Sequence, residues 1–355
     1  MDGTSKISRN RSGINVMKKQ TINDVARLAG VSKSTVSQYL NGRFNYMSEA
    51  TRERIAKVIE ELDYRPNGLA RSLKQNRTHL VGIIVADLNY SLSIACVRAI
   101  ENELQDQGIQ VIICNADENP DKEADYIETL LARQVDGLIL FPTGQISEAY
   151  GQLLESGFPF VLMDRLVEHV PARSILLDNE MALKIAVEEL VKSGHREIGM
   201  ITLPLLPQAI TPRKERMSGF RRAMEESGLP IREEFLASVP AEDISCVLEQ
   251  LLALPDPPTA LIAGNDIVLG EILKAANRLK LPIPDTLSVI GIDAADFAEV
   301  YNPVITTIRQ PAYEMGSQAA RILLASIENR EAGLPITYRF PPSLQRGESV
   351  LDRRR

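Results

Sequence analysis

Lys33, Ser34, Ser37 and Gln38 carry the clearest chemical signal in this 355-residue chain. Their ammonium, hydroxyl and amide groups are the kinds that donate to and accept from base edges in a DNA major groove. Their spacing puts them on one face of a helix running from about Lys33 to Leu40, with Val36 and Leu40 on the other face. That stretch contains no acidic residue, so nothing on it repels phosphate. Alone, the same pattern also fits a small solvated helical hairpin.

The neighbouring residues predict how such a helix would be held. Thr21 is a candidate N-cap for a preceding helix, with Asp24 favouring its positive end. Ile22, Val25, Ala26 and Ala29 give that helix one apolar stripe. Gly30 ends it as a left-handed residue, and Ser32 caps the next helix. A third helix is expected after Ser48, with Ile55, Val58, Ile59 and Leu62 packing on the first two. Three such helices make a unit of roughly 45 residues, a size at which burial alone is marginal.

Charge separates this unit from the rest. Residues 1–77 hold 15 Lys and Arg against 7 Asp and Glu, which is +8, and the remainder carries −15 of the overall −7. A basic module on an acidic body is the asymmetry expected when one end meets phosphates. Composition is that of an ordinary globular protein, at 44% hydrophobic and 25% charged. Cys96, Cys114 and Cys246 are scattered and odd in number, which fits a reducing cytoplasm and argues against a disulfide framework. His79, His169 and His195 are too dispersed for a metal motif, and no metal or cofactor is expected. No apolar run approaches the roughly 20 residues of a membrane span. Residues 1–18 read as a disordered polar extension without the apolar core of a signal peptide. Met17 resembles a natural start as much as Met1 does.

Beyond the headpiece, expected over 19–65, Pro66 and Asn67 open a short linker over 66–79. From Leu80 onward, apolar runs alternate with amphipathic stretches. The first series is 80–86, 111–114, 135–141 and 160–163. The second begins at 174–177 and continues through 198–202, 260–263 and 287–292. Alternation of this kind predicts two doubly wound parallel sheets, with ligand at the strand C-terminal ends between them.

Over more than fifty residues the headpiece resembles the lac repressor (LacI/GalR) family of bacterial transcription regulators. The matching run is Thr21-Ile22-x-Asp24-Val25-Ala26-x-x-Ala29-Gly30-Val31-Ser32-x-x-Thr35-Val36-Ser37-x-x-Leu40-Asn41. It continues as Ser48-x-x-Thr51-Arg52-x-Arg54-Ile55 and Leu62-x-Tyr64-x-Pro66-Asn67-x-x-Ala70-x-Ser72-Leu73. The loop from Asn41 to Ser48 is one residue longer than is usual for the family. The resemblance implies a helix-turn-helix headpiece in which Lys33, Ser34, Thr35, Ser37 and Gln38 face bases. Thr21, Asn41, Ser48 and Thr51 would position on phosphates. Tyr64, Asn67, Ala70 and Leu73 would belong to a hinge region that orders on the operator, with Leu73 wedging into the minor groove.

The resemblance extends through Asp164-Arg165, Asp178-Asn179, Gly194-His195-Arg196, Arg216-x-x-Gly219-Phe220, Asn265-Asp266, Ser288-Val-Ile-Gly291-x-Asp293 and Pro303-x-x-Thr306-Thr307. It implies an α/β periplasmic-binding-protein-like core of two doubly wound parallel-sheet subdomains over 80–355. Subdomain one is expected at about 80–164 and 294–328, and subdomain two at about 165–293 and 329–355. In the effector pocket it implies, Arg216 reaches the ligand while Asn265 and Asp293 bind hydroxyls. Asp164 lies at the expected crossing. A guanidinium forks onto a carboxylate or phosphate, whereas a carboxylate and an amide take vicinal hydroxyls.

Where the family usually has Asn-Pro-Phe-Phe, this chain has Tyr90-Ser91-Leu92-Ser93, which adds hydroxyls and removes two phenylalanines. With Thr143 and Arg213 nearby, a small anionic hydroxylated effector is expected, a sugar acid or sugar phosphate. Gln38-Tyr39, Tyr46-Met47 and Phe141-Pro-Thr-Gly144 are similar to members sensing ketogluconate-type sugar acids.

The reading is therefore a cytoplasmic regulator, homodimeric by default, that binds a palindromic operator and represses carbohydrate catabolism genes, with a corepressor-dependent or activating regulator of the same family as the alternative. A solute-binding protein would need an export signal and no headpiece. An enzyme is disfavoured, because no Gly-x-Gly-x-x-Gly after a strand, phosphate loop or nucleophile–base set is present.

Overall fold

The computed structural model describes residues 20–45, 47–64, 77–145, 148–205, 210–293, 296–328 and 335–354. The chain divides into two units, Met1–Thr78 and His79–Arg355. Among the described residues no helix is long and apolar enough to cross a membrane.

The first unit contains α1 (Ile22–Leu28), α2 (Lys33–Leu40) and α3 (Glu49–Glu61). Thr21 N donates to Asp24 Oδ2 at 3.0 Å, and Thr21 Oγ1 donates to the same oxygen at 2.7 Å. These bonds hold the Asp24 carboxyl below its ordinary value. Ser32 Oγ accepts from Thr35 N at 3.1 Å, and Ser48 Oγ from Thr51 N at 3.3 Å. Gly30 closes α1 at φ +63°, where a side chain would be strained. Val25, Ala26, Ala29, Val36, Ile55 and Tyr64 form the core, rimmed by Ile22, Leu40, Val58, Ile59 and Leu62. The expected extension over 1–18 and the hinge residues Asn67, Ala70 and Leu73 lie outside the described residues.

In the second unit, β1 (Leu80–Val85), β2 (Gln110–Asn115), β3 (Gly137–Leu140), β4 (Phe160–Met163), β5 (Arg173–Leu177) and β11 (Thr337–Phe340) form one sheet. Its order is β11-β5-β4-β3-β1-β2, and every pairing is parallel. The second sheet holds β6 (Ile198–Thr202), β7 (Leu236–Ser238), β8 (Ala260–Ala263), β9 (Ser288–Ile292), β10 (Thr306–Arg309) and β12 (Ser343–Gln345). Its order is β12-β10-β9-β8-β6-β7, with only β12 antiparallel. Strands in the middle of both sheets are buried along their length, as strands covered on both faces must be.

Helices α4 (Ser91–Gln105), α5 (Pro120–Ala132), α6 (Glu148–Glu155) and α12 (Ala312–Ile327) belong to the first subdomain. Helices α7 (Asn179–Lys192), α8 (Thr211–Glu226), α9 (Ile244–Leu252), α10 (Asp266–Leu279) and α11 (Asp296–Val300) belong to the second.

The expected subdomain borders need correction. The run at 174–177 does not open the second series. It pairs with β4 and closes the first sheet. The segment 164–172 that precedes it holds no helix, so the strand–helix alternation is absent there. Residues 306–309 sit in the second sheet, and 337–340 pair with β5 in the first. The chain therefore crosses between subdomains at Asp178, at Gln310–Pro311 and at 341–342, and not near Asp164 and Asp293.

Candidate functional site

On the headpiece, Lys33, Ser34 and Gln38 are exposed and Ser37 is half-exposed, while Val36 on the opposite face is fully buried. Thr35 Oγ1 and Ser34 Oγ both lie against Ser32 Oγ, at 2.8 and 2.6 Å. The Asn41 side chain donates to Ser37 O at 2.7 Å, which closes α2 and fixes its end. Thr51 Oγ1 meets Ser48 Oγ at 2.9 Å at the start of α3. Thr21, Asn41 and Ser48 are exposed.

Tyr64, expected in the hinge region, packs in the headpiece. It is 8% exposed, its ring belongs to the headpiece core, and burial raises its hydroxyl above the ordinary value. The lengthened loop is anchored by Phe44. Its ring meets Tyr39 edge-on at 5.8 Å, and the Arg52 guanidinium lies 4.2 Å from its centroid.

A cleft opens in the core. Its lining residues follow the C-terminal ends of strands: Ala86 and Tyr90 after β1, Phe141 after β3, and Asp164 and Arg165 after β4. In the second subdomain they are Thr202 at the end of β6, Gly264 and Asn265 after β8, and Asp293 after β9. This is where open α/β sheets hold ligands. Asp164 and Asp293 occupy corresponding places and both take a left-handed backbone, φ +63° and +79°.

Arg216 enters from α8. Its Nε donates to Asn179 Oδ1 at 2.9 Å, its Nη1 donates to Gly264 O at 2.7 Å, and Nη1 lies 3.5 Å from Asp293 Oδ2. Gly219 permits this approach. A Cβ at that position would fall 2.9 Å from Glu180 Cα, so α8 packs on α7 without a spacer. Burial pushes the Asp293 carboxyl up to about 6, and Asp266 and Asp164 add repulsion that Arg216 and the Gln310 amide only partly offset. Burial raises Asp164 too, against Arg165 and Arg216. Asp164 Oδ1 is buried and has no hydrogen-bond partner.

Asn265 caps α10 through Oδ1, which accepts from Val268 N at 3.0 Å. Arg213 stands in the lining and donates to Pro204 O at 3.0 Å, whereas Lys214 is exposed.

Two expected pocket residues do not line the cleft. Ser91 N and Oγ both bond to Asp266 Oδ2, at 3.0 and 2.7 Å, so its polar atoms join the two subdomains. Thr143 lies behind the wall, its N–H donating to buried Glu123 at 2.7 Å. Ser93 does line the cleft, with Leu92 beside it. The aromatic surface comes from Tyr90 and Phe141. Burial, then the charge of Glu118, pushes the Tyr90 hydroxyl up to about 12.

Arg165 and Glu118 had no assigned role in the sequence. Their guanidinium–carboxylate fork, at 2.7 and 2.8 Å, stiffens the wall, and Arg165 also holds Pro142 O at 3.0 Å. Burial raises Glu118, but the hydrogen bonds and charge of Arg165 prevail and hold it below its ordinary value. Only the placement of Arg165 after Asp164 at a strand end could have signalled the pair.

A helix-turn-helix unit followed by a two-sheet core with a polar cleft is the architecture of a ligand-responsive DNA-binding regulator. Residues 21–67 match the bacterial regulatory proteins of the lacI family, and residues 187–350 match the periplasmic binding protein-like domain. The chain is 44% identical to the probable HTH-type transcriptional regulator EndR of Paenibacillus polymyxa, over 93% of this chain and 98% of that one. It is 32% identical to the HTH-type transcriptional regulator KdgR of Bacillus subtilis (strain 168), over 89% and 94%. The lac repressor dimer bound to operator and the anti-inducer ONPF has the same fold. It has a TM-score of 0.82 at 24% identity, and the match covers 94% of this chain and 100% of that one. The chain belongs to the lacI family of bacterial regulatory proteins and is a DNA-binding transcriptional regulator.

Proposed function

We propose that the chain represses carbohydrate catabolism genes and that a small, hydroxylated, anionic effector, a sugar acid or sugar phosphate, controls it from the core cleft. The observation that carries this reading is the buried, unpartnered Asp164 Oδ1 in the same lining as Arg213 and Arg216. A ligand hydroxyl would satisfy that acceptor, whose lack of a partner otherwise costs roughly 1–3 kcal/mol. The guanidinium of Arg213 is suited to a carboxylate or phosphate. Calorimetric titration with D-gluconate, D-glucuronate and 6-phosphogluconate, against glucose and cellobiose, tests the class. Tight binding of a neutral sugar with none of any acid would remove the anionic part.

In this reading the protein acts in the cytoplasm as a homodimer on a palindromic operator, one headpiece per half-site. Exposed apolar residues support a second copy as partner: Ile94 and Ile113 in the first subdomain, and Phe297 and Val300 in the second, with Val300 82% exposed. Val300→Asp and Ile94→Asp should shift sedimentation toward monomer. A dimer unaffected by both would place the interface elsewhere. Leu73→Ala is expected to weaken operator binding and leave effector affinity unchanged. Equal operator affinity in wild type and variant would argue against a wedge.

A further inference from the structure

Each of the three stretches that join the subdomains carries or adjoins a side chain in one cluster around Arg216. At the first, Asn179 accepts from Arg216 Nε at 2.9 Å and donates through Nδ2 to Glu215 Oε2 at 2.9 Å. At the second, Gln310 donates to Asp293 Oδ1, and Asp293 Oδ2 lies 3.5 Å from Arg216 Nη1. Just before the third, Arg339 on β11 forks onto Glu215, Nη1 to Oε2 at 2.9 Å and Nη2 to Oε1 at 2.7 Å. Arg339 Nη1 also donates to Leu177 O at the end of β5, at 3.3 Å.

The guanidinium in the cleft thus reaches all three crossings within a few hydrogen bonds. We infer that Asn179, Glu215 and Arg339 are positioning residues that tie the state of Arg216 to the angle of the joint between subdomains. The inference rests on the cleft being the effector site. A forked guanidinium–carboxylate pair is directional, and its geometry fails when either member shifts. Asn179 spends its amide oxygen on Arg216 and its amide nitrogen on Glu215, so it passes displacement from one to the other. A ligand that draws Arg216 from Asn179 removes one restraint on the first crossing and, through Glu215, on the third. An ion pair between the same two helices, Lys184 with Glu226, is exposed and is neither in the cleft lining nor at a crossing. It serves as an internal control.

The test needs no ligand. In the full-length chain with Cys114 and Cys246 replaced by Ser, Leu92→Cys places a thiol in the cleft wall, and its rate of reaction with a maleimide reports opening. Glu215→Gln and Arg339→Met should each raise that rate roughly tenfold. Glu226→Gln should leave it unchanged. Arg216→Lys should also raise it, and combining it with Glu215→Gln should add nothing further, because both break one chain of contacts. The inference is overturned by an unchanged rate in Glu215→Gln, by an equal rise in Glu226→Gln, or by effects of Glu215→Gln and Arg216→Lys that multiply. A merely structural role for Glu215 would lower Tm without changing the labelling rate. Adding millimolar D-gluconate tests the effector reading separately. Failure to slow labelling would count against a sugar acid and leave the positioning role intact.

Discussion

At the scale of single residues, the cleft sets two buried carboxylates against the Arg216 guanidinium. Asp293, pushed up to about 6 chiefly by burial, is largely ionised at pH 7.5 and about half protonated near pH 6. Protonation removes a negative charge from the wall that would face an anionic ligand, so affinity for a sugar acid should rise as pH falls from 7.5 to 6. Asp293→Asn should flatten the dependence. Calorimetric Kd values across that window decide it, and a pH-independent wild type would show that Asp293 does not face the anion. For stability the sign follows from proton uptake. With a folded value near 6 and an unfolded value near 4, the folded chain binds more protons in that range, so Asp293 lowers stability as pH rises through it. His195 works oppositely. Burial, then Arg353, depresses it to about 4, and its ring nitrogens contact Thr259 Oγ1 and Leu351 O at 2.9 and 3.1 Å. Its contribution is full above pH 6.5 and is lost as pH falls toward 4. His195→Gln should therefore show a smaller loss of urea midpoint than wild type between pH 7 and pH 5.

At the scale of elements, Gly219 shows how packing produces the site. Gly219→Ala forces α8 off α7, with an expected overpacking cost of about 1–3 kcal/mol and loss of the Arg216–Asn179 bond. Denaturant unfolding and effector titration should both register it, whereas a variant at wild-type stability would mean that α7 yields without strain. In the headpiece, Ile55→Ala removes much of a core of six buried residues among those described. A loss of roughly 2–5 kcal/mol exceeds what so small a unit can spare, so operator binding should vanish while core Tm holds. Most elements were legible in the sequence because apolar runs and amphipathic stretches alternate. The short strands β7, β10 and β12, three or four residues each, were missing from the expected series, and two further strands could not be assigned to a sheet. β5 follows β4 without a helix, and β11 alternates exposed and half-exposed residues at a sheet edge, so periodicity could not say which sheet either joins. The candidate site was legible where a residue type follows a strand end, as with Asp164, Asn265 and Asp293. Ser91 was misread because its partner, Asp266, lies 175 residues away, and no local pattern encodes such a pairing.

At the scale of the whole molecule, the charge division assigns separate tasks to separate parts. Operator affinity should fall steeply with salt, with a log–log slope of about −0.9 for each phosphate neutralised by Lys or Arg. Effector affinity, set in a partly buried cleft, should change far less. Parallel titrations from low to moderate salt test this, and a flat operator curve would contradict a phosphate-facing basic unit. The joint between subdomains has a mechanical consequence. Its three connecting segments run side by side: Asp178 N donates to Phe340 O at 2.8 Å, and Ser343 lies in register with Arg309. Tied to one another in this way they cannot part independently, so any turn of one subdomain against the other has to be shared by all three.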